Sequence, residues 1–254
     1  MDPLTFKIIA VVLIVIAAVI GGMLPQWLGN WHRGEKFLIY GNALSGGVFL
    51  GAGLLHMLFE AIEQFHEVAP DSEFPWIMLI TIGGFLLVLF IEKVLFRNAA
   101  VGTLTGEKSI LPYLLLLILS LHSIIAGAAM GLESSLQATV IIFIAIIAHK
   151  VFAAFALGIS LKESNIEQSA FNRNIAIFAS MTPIGILLGA GLSAILEDSV
   201  AIEAIFGAIA AGTFIYVAIL EIIEELFGNP EHRWGEFVFL SLGIAFMAVL
   251  AVWG

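Results

Sequence analysis

The chain has 254 residues, 61% of them hydrophobic and only 12% charged, with a mean hydropathy of +1.08. A soluble domain carries roughly 25% charged residues, so this composition excludes a soluble fold and describes an integral membrane protein. Ten Lys and Arg stand against twenty Asp and Glu, and the net charge of -10 excludes nucleic acid as a partner because it repels phosphate. There is no Cys, which excludes disulfide scaffolds, cysteine-ligated zinc, iron–sulfur clusters and thiol catalysis.

A bilayer core of about 30 Å is crossed by about 20 apolar residues in a helix rising 1.5 Å each. Eight such stretches follow one another: 4–28, 37–66, 76–97, 110–132, 136–161, 172–196, 202–227 and 233–253. The first is too long for a signal peptide and has neither a basic leader nor a small-residue cleavage site. The breaks carry turn or charge signals, such as Gly228-Asn229-Pro230. The expected fold is therefore all-α: a polytopic membrane bundle of eight transmembrane helices, forming a single domain over 1–254.

Eight of the ten basic residues fall in loops one, three, five and seven: Arg33, Lys36, Lys93, Arg97, Lys108, Lys162, Arg173 and Arg233. Basic loops stay in the cytoplasm, so both termini are expected to be extracytoplasmic in a multi-pass protein of the plasma membrane (the inner membrane if bacterial). The opposite loops are acidic, with Glu67, Asp71, Glu73, Glu197, Asp198 and Glu203. Such a face concentrates cations, although the same acids also serve simple solvation.

Ionisable groups inside spans are expensive and point to function. Span two holds His56, Glu60 and Glu63, whose spacings of four and three place them on one helical face. Span four holds His122 and Ser123, span five His149 and Lys150, and span seven Glu221, Glu224 and Glu225. His122 lies 14 residues after Lys108 and His149 lies 13 before Lys162, so both fall roughly 20 Å from the cytoplasmic edge. His56 falls at the outer mouth, and Glu221 and Glu225 near the inner end. Outer, middle and inner stations are what a dehydrated cation needs as it crosses. Imidazole with carboxylate suits zinc and related first-row ions. Interhelical hydrogen bonding and a proton relay are other readings of the same residues. In span six, Thr182-Pro183 interrupts the helix and frees a carbonyl.

Spans four and five repeat one pattern. His122 and His149 are each followed by Ala at +4, Ala at +7 and Gly at +9. Gly127 with Gly131, Gly47 with Gly51, and Gly185 with Gly189 are GxxxG pairs, which let helix backbones approach closely. This packing is expected to bring the two His side chains together.

Together the motifs resemble the ZRT/IRT-like (ZIP) family of metal transporters. The resemblance rests on His122-Ser and His149-Lys with Ala-Leu-Gly-Ile-Ser after it. It extends to Gly46-Gly-Val-Phe-Leu with His56 and Glu60, Met181-Thr-Pro-Ile-Gly185, and Gly212-Thr-Phe-Ile-Tyr216 with Glu221 and Glu224-Glu225. It implies import of zinc, and often of iron, manganese or cadmium (Zn2+, Fe2+, Mn2+, Cd2+), into the cytoplasm. It also implies a homodimer in the lipid bilayer and an elevator in which spans one, four, five and six move against two, three, seven and eight. By position it makes His122, Ser123 and His149 the central metal ligands, with His56 and Glu60 at the entrance. Glu221 and Glu225 are then release residues, and Lys150, Thr182, Glu63 and Glu224 further path residues.

Many members of that family carry Glu four residues after each His, where this chain has Ala126 and Ala153, and some bacterial members have Glu at the place of Thr182. A carboxylate-bridged two-metal centre is therefore not expected. The expectation is a single-metal site, with the Lys150 ammonium standing where a second cation would be. A His-rich loop between Arg97 and Lys108 is absent. The chain is expected not to be an enzyme: no HExxH-like spacing supports an intramembrane metallohydrolase. A non-transporting metal sensor or scaffold is the other alternative.

Overall fold

The structure is a computed structural model that describes residues 2–28, 34–95, 111–192 and 200–252. Arg33, Arg97, Lys108, Glu197 and Asp198 lie outside the described residues. The described chain is helical, with no strand. Eight helices are long and apolar enough to cross a membrane: α1 (Pro3–Leu28), α2 (Gly34–Val68), α3 (Trp76–Leu95), α4 (Leu111–Leu132), α5 (Leu136–Glu163), α6 (Gln168–Leu192), α7 (Val200–Glu225) and α8 (Arg233–Leu250). In hydrocarbon every backbone N–H and C=O must be paired within the segment, which leaves the helix as the form these runs can take. Large apolar side chains such as Ile8, Leu86, Leu187 and Val249 point outward, where a soluble protein would carry charge. Eight apolar spans make this a multi-pass membrane protein.

The helices sort into two bodies. In the first, α4 packs chiefly on α6, and α1 on α5 and α6; in the second, α2 packs on α8 and α3 on α7. Each of the four main pairs is a glycine seam. A Cβ on Gly127 or Gly131 of α4 would be driven into the carbonyl oxygens of Thr182 or Ile186 on α6, and one on Gly185 into that of Ile124. Gly21 stands in the same relation to Val151, Gly47 to Leu240, and Gly84 to Ile209. Lipid tails are as apolar as leucine, so close backbone approach is what holds such pairs together. One expectation is corrected here: the glycines of α4 pack on α6, not on α5. The two bodies meet mainly where α2 crosses α5, with smaller contacts of α7 on α4 and of α1 on α2.

Among the described residues the second body departs from regular helix at three π turns and at a 3-10 turn over Ile223–Glu225. π-helical turns occupy Ala52–Met57 of α2, Phe90–Leu95 of α3 and Val217–Ile222 of α7. Each π turn holds an ionisable side chain: His56, Glu92 with Lys93, and Glu221. Such turns insert a residue and re-aim the side chains around it. α7 gives way after Glu225 to a turn in which Phe227 adopts a positive φ of 68°. That turn is tied down by the Glu236 carboxylate, which accepts from the Phe227 N–H at 2.9 Å, and by the Arg233 Nε donating to the Phe227 carbonyl at 2.9 Å.

Candidate metal site

His122 and His149 come from antiparallel neighbours, α4 and α5, at the same height. Both side chains are buried, and their Nε2 atoms lie 3.3 Å apart. A zinc ion binds imidazole nitrogen at about 2.0–2.1 Å in tetrahedral geometry, so two such ligands stand about 3.3–3.4 Å from each other. The pair thus has the separation of two ligands of one ion. Neither Nδ1 has a hydrogen-bonding partner among the described residues.

Phe214 of α7 packs against both rings, with centroids 4.1 Å from His122 and 5.6 Å from His149. Aromatic rings in tilted and edge-to-face contact limit one another's rotation. The sequence reading missed Phe214 because one more aromatic residue in an apolar span carries no signal of its own.

The residues that follow the two histidines turn away from them. Lys150 is buried and donates from Nζ to Ser123 Oγ at 2.8 Å and to the Phe178 carbonyl of α6 at 3.3 Å. The ammonium also lies 3.7 Å from the centre of the Phe178 ring, a cation–π contact. Ser123 Oγ in turn donates to the Leu119 carbonyl at 2.6 Å. Lys150 therefore ties α4, α5 and α6 together, and the Ser123 hydroxyl is engaged with it rather than with the histidines. No carboxylate pairs with Lys150 among the described residues. Thr182 is fully buried on α6, and its Oγ1 has no hydrogen-bonding partner among the described residues.

A cavity of about 350 Å³ opens at one end of the bundle and reaches the pair. Its walls include His56, Glu60, Gln64, His122, Ala126, His149 and Glu203. His56 Nε2 stands 3.8 Å from Glu60 Oε2, and Gln64 Nε2 donates to Glu60 Oε1 at 3.4 Å. Glu63 is exposed and is not among the lining residues; the face of α2 that meets the cavity runs His56, Glu60, Gln64. The i+8 spacing of Gln64 was present in the sequence, but an uncharged amide did not single it out. Ala126, where the family resemblance places Glu, lines the same cavity.

A second cavity of about 200 Å³ opens at the other end, lined among others by Asn42, Ser160, Glu163, Glu221 and Glu225. Glu224 is exposed and outside that lining. Glu221 is within hydrogen-bonding reach of Glu92, which also accepts from the Tyr216 hydroxyl at 2.7 Å and pairs with Lys93. Glu92 was legible as an ionisable residue inside a span, but its neighbour Lys93 read as a loop marker and drew attention from it. Among the described residues no three His, Cys, Asp or Glu side chains converge as a metal cage does. The His pair has the spacing of two ligands of one ion.

Residues 4–102 and 98–251 match the family described as ZIP Zinc transporter. The chain belongs to this family. It is 30% identical to zinc transporter ZIP2 of Mus musculus over 89% of this chain and 87% of the relative. It is 29% identical to zinc transporter ZIP1 of Takifugu rubripes over 99% of both, and 27% identical to zinc transporter 1 of Oryza sativa subsp. japonica over 97% of this chain and 83% of that one. A ZIP protein is a transporter and not an enzyme, and its transported partner is a divalent metal cation. The buried His pair, the cavity that ends on it and the second cavity beyond it are features suited to such a task.

Proposed function

We propose that the chain carries divalent transition-metal ions, zinc foremost, one at a time across the membrane and into the cytoplasm, with His122 and His149 as the central ligands. The observation that carries this reading is the 3.3 Å separation of the two Nε2 atoms inside a closed, buried pair. Two nitrogens leave the rest of a tetrahedral shell to water or backbone oxygen, which keeps binding weak enough for release. Fe2+, Mn2+ and Cd2+ are the further candidate substrates.

His56 and Glu60 would receive the ion in the larger cavity. Glu221 and Glu225 would draw it onward at the other end, joined by Glu163 of α5. Ser123 contributes by holding Lys150, whose charge occupies the ground beside His149. The two bodies are each held by their own glycine seams, and this favours a carrier in which α1, α4, α5 and α6 slide against α2, α3, α7 and α8 within a single membrane domain. A homodimer in the plasma membrane, with the Lys36, Lys162 and Arg233 end in the cytoplasm, completes the reading.

The test is uptake of radioactive zinc into vesicles by the wild type, His122→Ala and His149→Ala. Uptake by the wild type and its loss in both variants is expected. Equal uptake by all three overturns the central role of the pair, and two metal ions bound at the pair in an anomalous-scattering map at the zinc edge overturn the single-ion site.

A further inference from the structure

Four helices, α2, α4, α5 and α7, contribute to both cavities. α4 contributes His122 to the larger cavity and Leu115 to the smaller; α5 contributes His149 and Ala156; α7 contributes Ala210 and Glu221; α2 contributes His56 and Asn42. On α4 and α5 the last residue of one wall and the first of the next are seven positions apart, about 10 Å along the helix. Leu119, Ala153 and Phe214 fill that interval and are buried. Leu119 and Ala153 belong to the body that holds the histidines. Phe214 belongs to the other, and it is the large group of the three. Its ring lies one turn beyond Ala210 and touches both imidazoles. Phe49 of α2 supports it from behind, with ring centroids 4.8 Å apart.

We propose that Phe214 is the septum of the pathway: its ring, held on the static side of the bundle, closes the larger cavity beneath the His pair and separates it from the smaller one. The proposal rests on reading the two cavities as halves of one path. A buried aromatic ring with no polar atom offers a hydrated ion neither ligands nor room, which is how apolar constrictions close pores. An alanine at this position withdraws the largest of the three side chains named in the interval between the cavities. An ion on the His pair would then be exchanged between the cavities when the pair moves past the ring, and not by leaking around it.

The chain has no Cys, so single-cysteine reporters need no background removal. Ala126→Cys places a thiol in the larger cavity and Ala156→Cys one in the smaller. A membrane-impermeant methanethiosulfonate trimethylammonium reagent is applied to vesicles from the side that labels Ala126→Cys. With Phe214 present, Ala156→Cys is expected to be protected from that side and reactive from the opposite one. Combined with Phe214→Ala, the protection is expected to be lost, and Phe214→Trp is expected to restore it.

Continued protection in Phe214→Ala overturns the proposal, provided Ala126→Cys still labels normally and Ala156→Cys still labels from the opposite side. So does free labelling of Ala156→Cys from the larger cavity while Phe214 is intact. If Phe214→Ala does not insert, Phe214→Leu and Phe214→Val carry the same comparison in smaller steps, with labelling expected to rise as volume falls. The reagent reports on the barrier without any metal, so loss of zinc uptake with an intact barrier would count against the metal reading alone.

Discussion

His122 and His149 concentrate the chemistry of this chain in two nitrogen atoms, and substitutions there separate ligation from packing. On the proposed two-histidine site, His122→Ala removes one of the two protein ligands. Zinc affinity should fall by more than about tenfold, since even the loss of an outer partner of a ligand costs that much; titration of the purified protein with zinc checks this, and unchanged affinity would exclude the pair. A proton competes with the metal for the same Nε2 lone pairs, so sufficient acidification of the bath at the His56 end should reduce uptake. The sign follows from neutral imidazole being the ligand form, and uptake that rises on acidification would count against His ligation. Lys150 acts in the opposite sense. Lys150→Met removes a positive charge beside the site and should tighten zinc binding by about fivefold, roughly 1 kcal/mol. The same change removes the Lys150 hydrogen bonds to the Phe178 carbonyl and the Ser123 hydroxyl, at a cost of about 1.5–3 kcal/mol in stability for bonds to a charged group. Lower thermal stability with tighter zinc binding is the expected combination. Weaker binding would mean that the ammonium serves the site by orienting Ser123 and not by charge.

At the scale of the element, the small residues do a different job from the one their spacing suggested. The GxxxG pairs were readable along the chain, yet a period of four says only that a face is smooth. It cannot say which helix lies on that face. α4 met α6 because Gly127 and Gly131 find matching glycines, Gly185 and Gly189, on a helix that follows two spans later. Gly185→Ala should therefore separate α4 from α6 and cost about 1–3 kcal/mol by overpacking, measured as a lower unfolding temperature in detergent. Gly83, whose Cβ would meet nothing, is the control, and an equal loss at both positions would refute the seam. The π turns were invisible to sequence reasoning as well.

For the whole molecule, sidedness follows from the distribution of charge and the apolar surface follows from the solvent. Lys36, Lys162, Arg173 and Arg233 gather at the end opposite His56, while Glu60 and Glu203 line the cavity at the other. Positive loops remain cytoplasmic, so an epitope placed before Pro3 should be reached by antibody on intact cells without permeabilisation. Detection only after permeabilisation would reverse the direction of the path and make the smaller cavity the entrance. The pairing of helices into two bodies places the histidines in one and Phe214 in the other, which is the arrangement that the proposed sliding of the site past the ring requires.

The sequence by itself determined the solvent, the number of spans and the two histidines. These follow from composition, from runs of about 20 apolar residues and from residue counts along helices of known rise, all of which are local along the chain. It also determined that the centre lacks the acids at Ala126 and Ala153. Tertiary structure decided what each smooth face packs against, that Ser123 belongs to Lys150, that Gln64 and Glu203 join the cavity, and that a phenylalanine from another body lies under the pair. Those are contacts between helices far apart in sequence, and an apolar side chain in a membrane span carries no mark of whether it faces lipid, a neighbouring helix or a metal site.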